Sequence, residues 1–201
     1  MEGVIDSRNR FWAYVTAFGA LWGALEITLG SFLHTLHMPF TGALLASAGA
    51  GLLAAQRQFV PTRGLSLATG VVASLTKSLS PGGIILGPMV GIMTEALLVE
   101  MALLFAPRSR VLAAVAGAFC ALWATLQKLL SQYIFFGGTI IDLYVAILRR
   151  ASEWLGISES SGWLAVVGFL GVIATVGALC GLAGSWMGSA ATRRLLAKEP
   201  A

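Results

Sequence analysis

Six apolar stretches, at residues 12–33, 40–55, 64–79, 84–105, 111–136 and 162–188, fix most of what this chain can become. A hydrocarbon core of about 30 Å takes roughly 20 apolar residues as a helix, with about 17 to 25 tolerated. The second and third stretches are at the short end. Inside lipid, every backbone N–H and C=O must find its partner within the segment, so runs of this kind fold as helices. The expectation is an all-α, polytopic membrane protein, a six-helix bundle forming one transmembrane domain over residues 1–201. Composition agrees, because 57% hydrophobic and 11% charged residues with a mean hydropathy of +0.84 lie outside the range of soluble domains.

Basic residues orient the bundle. With both termini on one side, that side holds Arg8, Arg10, Arg57, Arg63, Arg108, Arg110, Arg193, Arg194 and Lys198, nine in all, against Arg149 and Arg150 on the other. The positive-inside rule then puts both termini in the cytoplasm and the connections at 34–39, 80–83 and 139–161 outside. Trp12 and Trp186 near the inner boundary, with Trp154 and Trp163 near the outer one, fit aromatic belts. The first stretch contains Glu26 and is not followed by a small-residue cleavage pattern, so it reads as a retained helix. Residues 139–161 mix Ile140, Ile141, Leu143 and Trp154 with Asp142, Arg149, Arg150 and Glu153, as an amphipathic outer segment between helices five and six would. The surplus of +4 belongs to loops in so apolar a chain, which argues against nucleic-acid binding.

Five charges fall within the apolar stretches: Glu26, Lys77, Glu95, Glu100 and Lys128. One charge at a helix centre costs about 2.5 to 3.5 kcal/mol, so five without partners would cost on the order of 12 to 17 kcal/mol. They must meet each other, water or a ligand. Counted along their helices, Glu26, Lys77 and Lys128 fall in the outer half, Glu95 near the middle and Glu100 nearer the inside. Gln127, Lys128, Ser131 and Gln132 form a polar patch at separations of three and four, and Ser66, Thr69, Thr76, Lys77 and Ser80 lie along another stripe. Two readings follow: a buried structural ion pair between Glu26 and Lys77 or Lys128, or a polar ligand pocket that opens outward. Glu95 and Glu100 stand about 140° apart around a helix and cannot serve one site, which leaves Glu100 as an interfacial or inter-subunit charge.

The first stretch carries two small-residue stripes. Ala13, Ala17, Ala20 and Ala24 suit a partner surface, beside Gly19, Gly23, Glu26 and Gly30. Gly177, Gly181, Gly184 and Gly188 in the last stretch suit packing within the bundle. No GxxxxGK[ST] phosphate loop occurs, no HExxH and no cysteine-rich metal pattern; Cys120 and Cys180 both sit in apolar runs, as small buried side chains do. We expect no catalytic residues, no cofactor and no structural metal. His34 and His37, in FLHTLHMPF, lie one helical turn apart and are a candidate metal or haem pair, but two histidines are too few for a di-haem cytochrome.

The alanine-spaced first helix AYVTAFGALWGALEITLG, the short connection LHMPFTG with Pro39 and Gly42, and the Pro/Gly-rich SPGGIILGPMVGI at residues 80–92 resemble the substrate-binding S components of energy-coupling factor (ECF) transporters. The resemblance covers residues 11–136 and lies in layout more than in signature. It implies a non-enzymatic capture subunit for a small polar, vitamin-like metabolite in a prokaryotic plasma (inner) membrane. Its partners would be a transmembrane coupling subunit and two ATP-binding cassette ATPases. By resemblance, Ala13, Ala17, Ala20 and Ala24 would dock the coupling subunit, and the pocket would lie under the outer loops. The chain begins Met1-Glu2, without the Met-His start of the cobalt and nickel branch, and carries no thiamine, biotin or riboflavin signature.

Glu26, Lys77 and Lys128 are the expected contacts for charged groups of the metabolite, with Gln127, Ser131 and Gln132 as hydrogen-bond partners and His37 and Gly82 in the gating loops. The alternatives are a structural membrane subunit whose buried charges specify assembly, and a haem- or metal-handling membrane protein that uses His34 and His37.

Overall fold

A computed structural model describes residues 2–36, 40–79, 86–137 and 162–197. Among them are six helices and no strand: α1 Glu2–Thr35, α2 Thr41–Phe59, α3 Leu65–Ser78, α4 Leu86–Ala102, α5 Arg110–Phe136 and α6 Gly162–Leu196. The amphipathic segment expected at 139–161 lies outside the described residues. Three helices are long and apolar enough to cross a membrane, over Ser7–Leu33, Arg110–Ile134 and Val166–Leu195. At 14 residues α3 spans only about 21 Å, whereas α1 and α6, with 34 and 35, reach roughly 50 Å.

Neighbouring helices alternate in direction. Gly70 meets Ala96 and Ser74 reaches the Met89 carbonyl, so α3 and α4 are antiparallel. Cys120 approaches the Glu95 carbonyl while Gln127 donates to that of Gly87, which sets α5 against α4. Gly19 faces Val72 and Gly23 faces Thr76, so α1 and α3 run side by side in the same sense. One end of the bundle therefore carries the 60–64 and 103–109 turns and is marked by Arg57. The other carries the last turns of α1, α3 and α5 and is marked by Lys77.

Helix α2 is the hub and touches every other helix. Its sequence, TGALLASAGAGLLAAQRQF, explains why: without a hydrophobic force between helices in lipid, small side chains are what allow close approach. A Cβ on Gly184 of α6 would run into the Gly51 backbone, and one on Gly49 would come within 2.7 Å of the Trp22 ring. Gly177 of α6 meets Gly117 of α5 in the same way, so the α6 glycine stripe packs inside the bundle.

The main core unites Trp22, Ala46, Ala50, Leu53, Ala73, Ile92, Ala96, Val99, Ala116 and Cys120. Outside it, large apolar side chains are bare: Leu75 is 60% exposed, Leu86 76% and Ile134 75%. A soluble chain would aggregate through such a surface, and a lipid-solvated one requires it. Helix α1 divides as its two stripes predict. Gly19, Gly23, Glu26 and Gly30 turn inward, and Ala13, Ala17, Ala20 and Ala24 are all exposed.

Candidate functional site

Two buried polar clusters sit at opposite ends of the bundle. At the Arg57 end, α2 runs past its expected limit at residue 55 and carries Gln56, Arg57 and Gln58 into the interior. Arg57 Nη2 meets Glu100 Oε1 at 2.9 Å, with both side chains buried, and Arg57 Nη1 donates to the Thr62 carbonyl. Glu100 also accepts from the backbone N–H of Gly64 at 2.7 Å and of Ser66 at 3.0 Å. These are the free donors at the start of α3, so a carboxylate from α4 caps α3 across the bundle. Gly64 takes φ +81°, a conformation that glycine adopts without strain. Below this pair, Gln56 Nε2 donates to the Tyr14 carbonyl at 3.0 Å and to Thr69 Oγ1 at 2.8 Å, joining α1, α2 and α3. Among the described residues, the buried Arg57 Nε and Ser66 hydroxyl here have no hydrogen-bond partner.

This arrangement corrects two expectations. Glu100 is an internal capping and pairing group, not an interfacial or inter-subunit charge. Arg57 is 1% exposed inside the bundle and not in a loop. The physical reason is the same for both: each neutralises the other in a place where neither could stand alone.

At the Lys77 end the geometry is looser. Lys77 Nζ stands 3.8 Å from Glu26 Oε2, beyond hydrogen-bond range, and donates instead to the Glu26 carbonyl at 2.8 Å. Gly30 lies beside that ammonium, where a Cβ would stand in ordinary contact with Nζ at 3.5 Å. Glu95 of α4 is 6% exposed, and its Oε2 has no hydrogen-bond partner among the described residues. It joins neither of the ion pairs seen among the described residues. The Trp22 indole, 1% exposed, stands beside the Glu26 carboxylate, yet its Nε1–H is outside hydrogen-bonding geometry. Glu95 Oε2 and Trp22 Nε1 are thus a buried acceptor and a buried donor without partners among the described residues, and an unmade buried hydrogen bond costs about 1 to 3 kcal/mol.

Of the residues expected to form the site, Glu26 and Lys77 come together. Lys128 does not join them: it is exposed on α5 and makes no ion pair among the described residues. Gln127 turns inward and donates to the Gly87 carbonyl at 2.8 Å, while Ser131 and Gln132 are half-buried on α5. His37 and Gly82 lie outside the described residues, as does the His34 side chain in the last turn of α1. Among the described residues, no three His, Cys, Asp or Glu side chains are grouped to hold a metal ion. Glu95 and Trp22 were not expected site members. The mid-helix position of Glu95 in an apolar run was the signal for it, and an indole in such a run gives none. An open apolar groove of about 450 Å³ between α3 and α4, lined by Leu67, Met89, Met93 and Leu97, holds none of these charges. No family model, curated protein or solved structure matches this chain.

Proposed function

We propose that this protein is the substrate-capture subunit of an ATP-driven, ECF-type uptake transporter, holding a small polar metabolite at the Lys77 end of the bundle. One observation carries the reading: the Lys77–Glu26 pair is held at 3.8 Å inside apolar helices, and the buried Glu95 Oε2 has no hydrogen-bond partner among the described residues. Charges at lipid depth are costly, and where they lack partners of their own they mark ligand sites. The Arg57 end shows that this fold can satisfy a buried carboxylate completely.

In this reading all six helices cross a prokaryotic plasma membrane with both termini in the cytoplasm, and the Lys77 end faces out. With Arg57 paired internally, eight basic residues still oppose Arg149 and Arg150 across the membrane. The exposed Ala13, Ala17, Ala20 and Ala24 face supplies a close-packing surface for the coupling subunit, whose ATPases would provide the energy. The chain itself would catalyse no reaction.

Purification from native membranes in mild detergent, followed by mass spectrometry of the intact assembly, tests the proposal. A bound metabolite and co-purifying ATP-binding cassette subunits are expected. An assembly with other partners, no metabolite, and Glu26→Ala protein that fails to assemble would favour a structural subunit instead.

A further inference from the structure

We propose that the apolar groove between α3 and α4 holds an acyl chain of an acidic phospholipid, with Arg63 meeting the phosphate of its head group. The inference goes beyond capture and needs only that the bundle sits in a bilayer. Arg63 follows Thr62, whose carbonyl accepts from Arg57, and precedes Gly64, whose N–H donates to Glu100 at 2.7 Å. The buried pair therefore ties the backbone on both sides of Arg63, while Arg63 itself is exposed. Because Arg57 and Glu100 neutralise each other, the charge that this turn presents is that of Arg63.

The groove begins next to that turn. Leu67, in the first turn of α3, lines it together with Met93 and Leu97 of α4. Its α4 wall from Leu97 to Leu86 is about 17 Å long. One leaflet supplies half of a hydrocarbon core of about 30 Å, so a single lipid chain with its head group at the Arg57 end fits that length. The one polar side chain in the lining, Thr94, donates to the Val90 carbonyl at 2.8 Å and asks nothing of the occupant. No glycine or alanine lines the groove, so a partner helix could not approach closely, whereas a thin flexible chain can lie among Leu and Met side chains.

Charge selects the head group. Arg8, Arg10, Arg108, Arg110, Arg193 and Arg194 are exposed at the same end as Arg63, and Glu26, Glu95 and Glu100 are buried. No exposed carboxylate competes for these guanidinium groups among the described side chains. Guanidinium meets phosphate through paired N–H donors, and a head group with net negative charge adds an attraction that a zwitterionic one lacks.

Native mass spectrometry of the full chain, loaded in detergent micelles with equal amounts of phosphatidylglycerol and phosphatidylcholine of identical acyl chains, tests the proposal. The wild type is expected to retain phosphatidylglycerol in preference to phosphatidylcholine. Arg63→Gln should lower that preference roughly fivefold. Arg194→Gln removes the same charge from α6, which packs on α2 and α5, and should leave the preference unchanged. Leu97→Trp fills the groove without altering charge and should reduce retention of both lipids. Leu67→Trp makes the same test from the α3 side if Leu97→Trp does not fold.

Equal retention of the two lipids by the wild type, or retention of neither, would overturn the proposal. Equal losses of preference in Arg63→Gln and Arg194→Gln would also overturn it, because they would show a diffuse field in place of a site. Undiminished retention in the groove-filling variant would do the same by placing the chain elsewhere.

Discussion

Glu100 and Glu95 lie five residues apart on one helix, both buried, and their surroundings could hardly differ more. Glu100 takes an arginine at 2.9 Å and two backbone N–H groups, so each of its oxygens is engaged and α3 is capped in the process. Glu95 joins no ion pair among the described residues, and its Oε2 has no hydrogen-bond partner there. The nearby Lys77–Glu26 pair is set at 3.8 Å, too long for a hydrogen bond between the charges. Since the same helix bundle builds both, the loose end is a feature of its sequence and not of the fold. The tight end holds the molecule together, and the loose end is where the proposed guest would bind.

That contrast can be broken first by stability. Glu100→Ala strands Arg57 in the interior and uncaps α3, so it should cost about 3 to 5 kcal/mol. A large fall in the unfolding midpoint in detergent is the expected result, and near-wild-type stability would show that the pair is dispensable. Gly49→Val comes next: a branched side chain must displace the Trp22 ring, with an expected loss of about 1 to 3 kcal/mol by the same measurement. Lys77→Gln should lie below both, because it removes a long ion pair and one hydrogen bond at the edge of the interior, about 0.5 to 1.5 kcal/mol. If Lys77→Gln proved as damaging as Glu100→Ala, the two ends would be equivalent and the comparison would fail.

Much of this was legible in the chain. The third and fifth helices end within a residue of the limits that hydropathy sets, and the two faces of α1 follow from its Gly and Ala spacings. Arg57 was not, because a basic residue just beyond an apolar run looks like a loop residue until its partner, 43 positions later, is brought to it. Lys128 shows a second limit. Counting residues along a helix gives depth but not azimuth, so three charges of similar depth were expected together and only two meet. Glu95 lies within the main run of α4, where its depth was readable and its lack of a partner was not.

The smallest effects fall outside both clusters. Ala17→Leu on the exposed face of α1 should leave the unfolding midpoint unchanged, since Ala17 is exposed among the described residues, yet should prevent co-purification of the proposed coupling subunit. Normal co-purification would remove that face from the account. Lys128→Ala should alter neither the midpoint nor ligand binding, and a marked loss of binding would bring α5 back into the site.

The central claim is that the unfilled groups at the Lys77 end await a dissolved guest. Its most direct test is to purify wild-type and Glu26→Gln protein gently, denature both and identify the small molecules released. A single metabolite in near-stoichiometric amount from the wild type, and none from the variant, is the predicted result. No small molecule from the wild type, or the same one in equal amount from both, would contradict it.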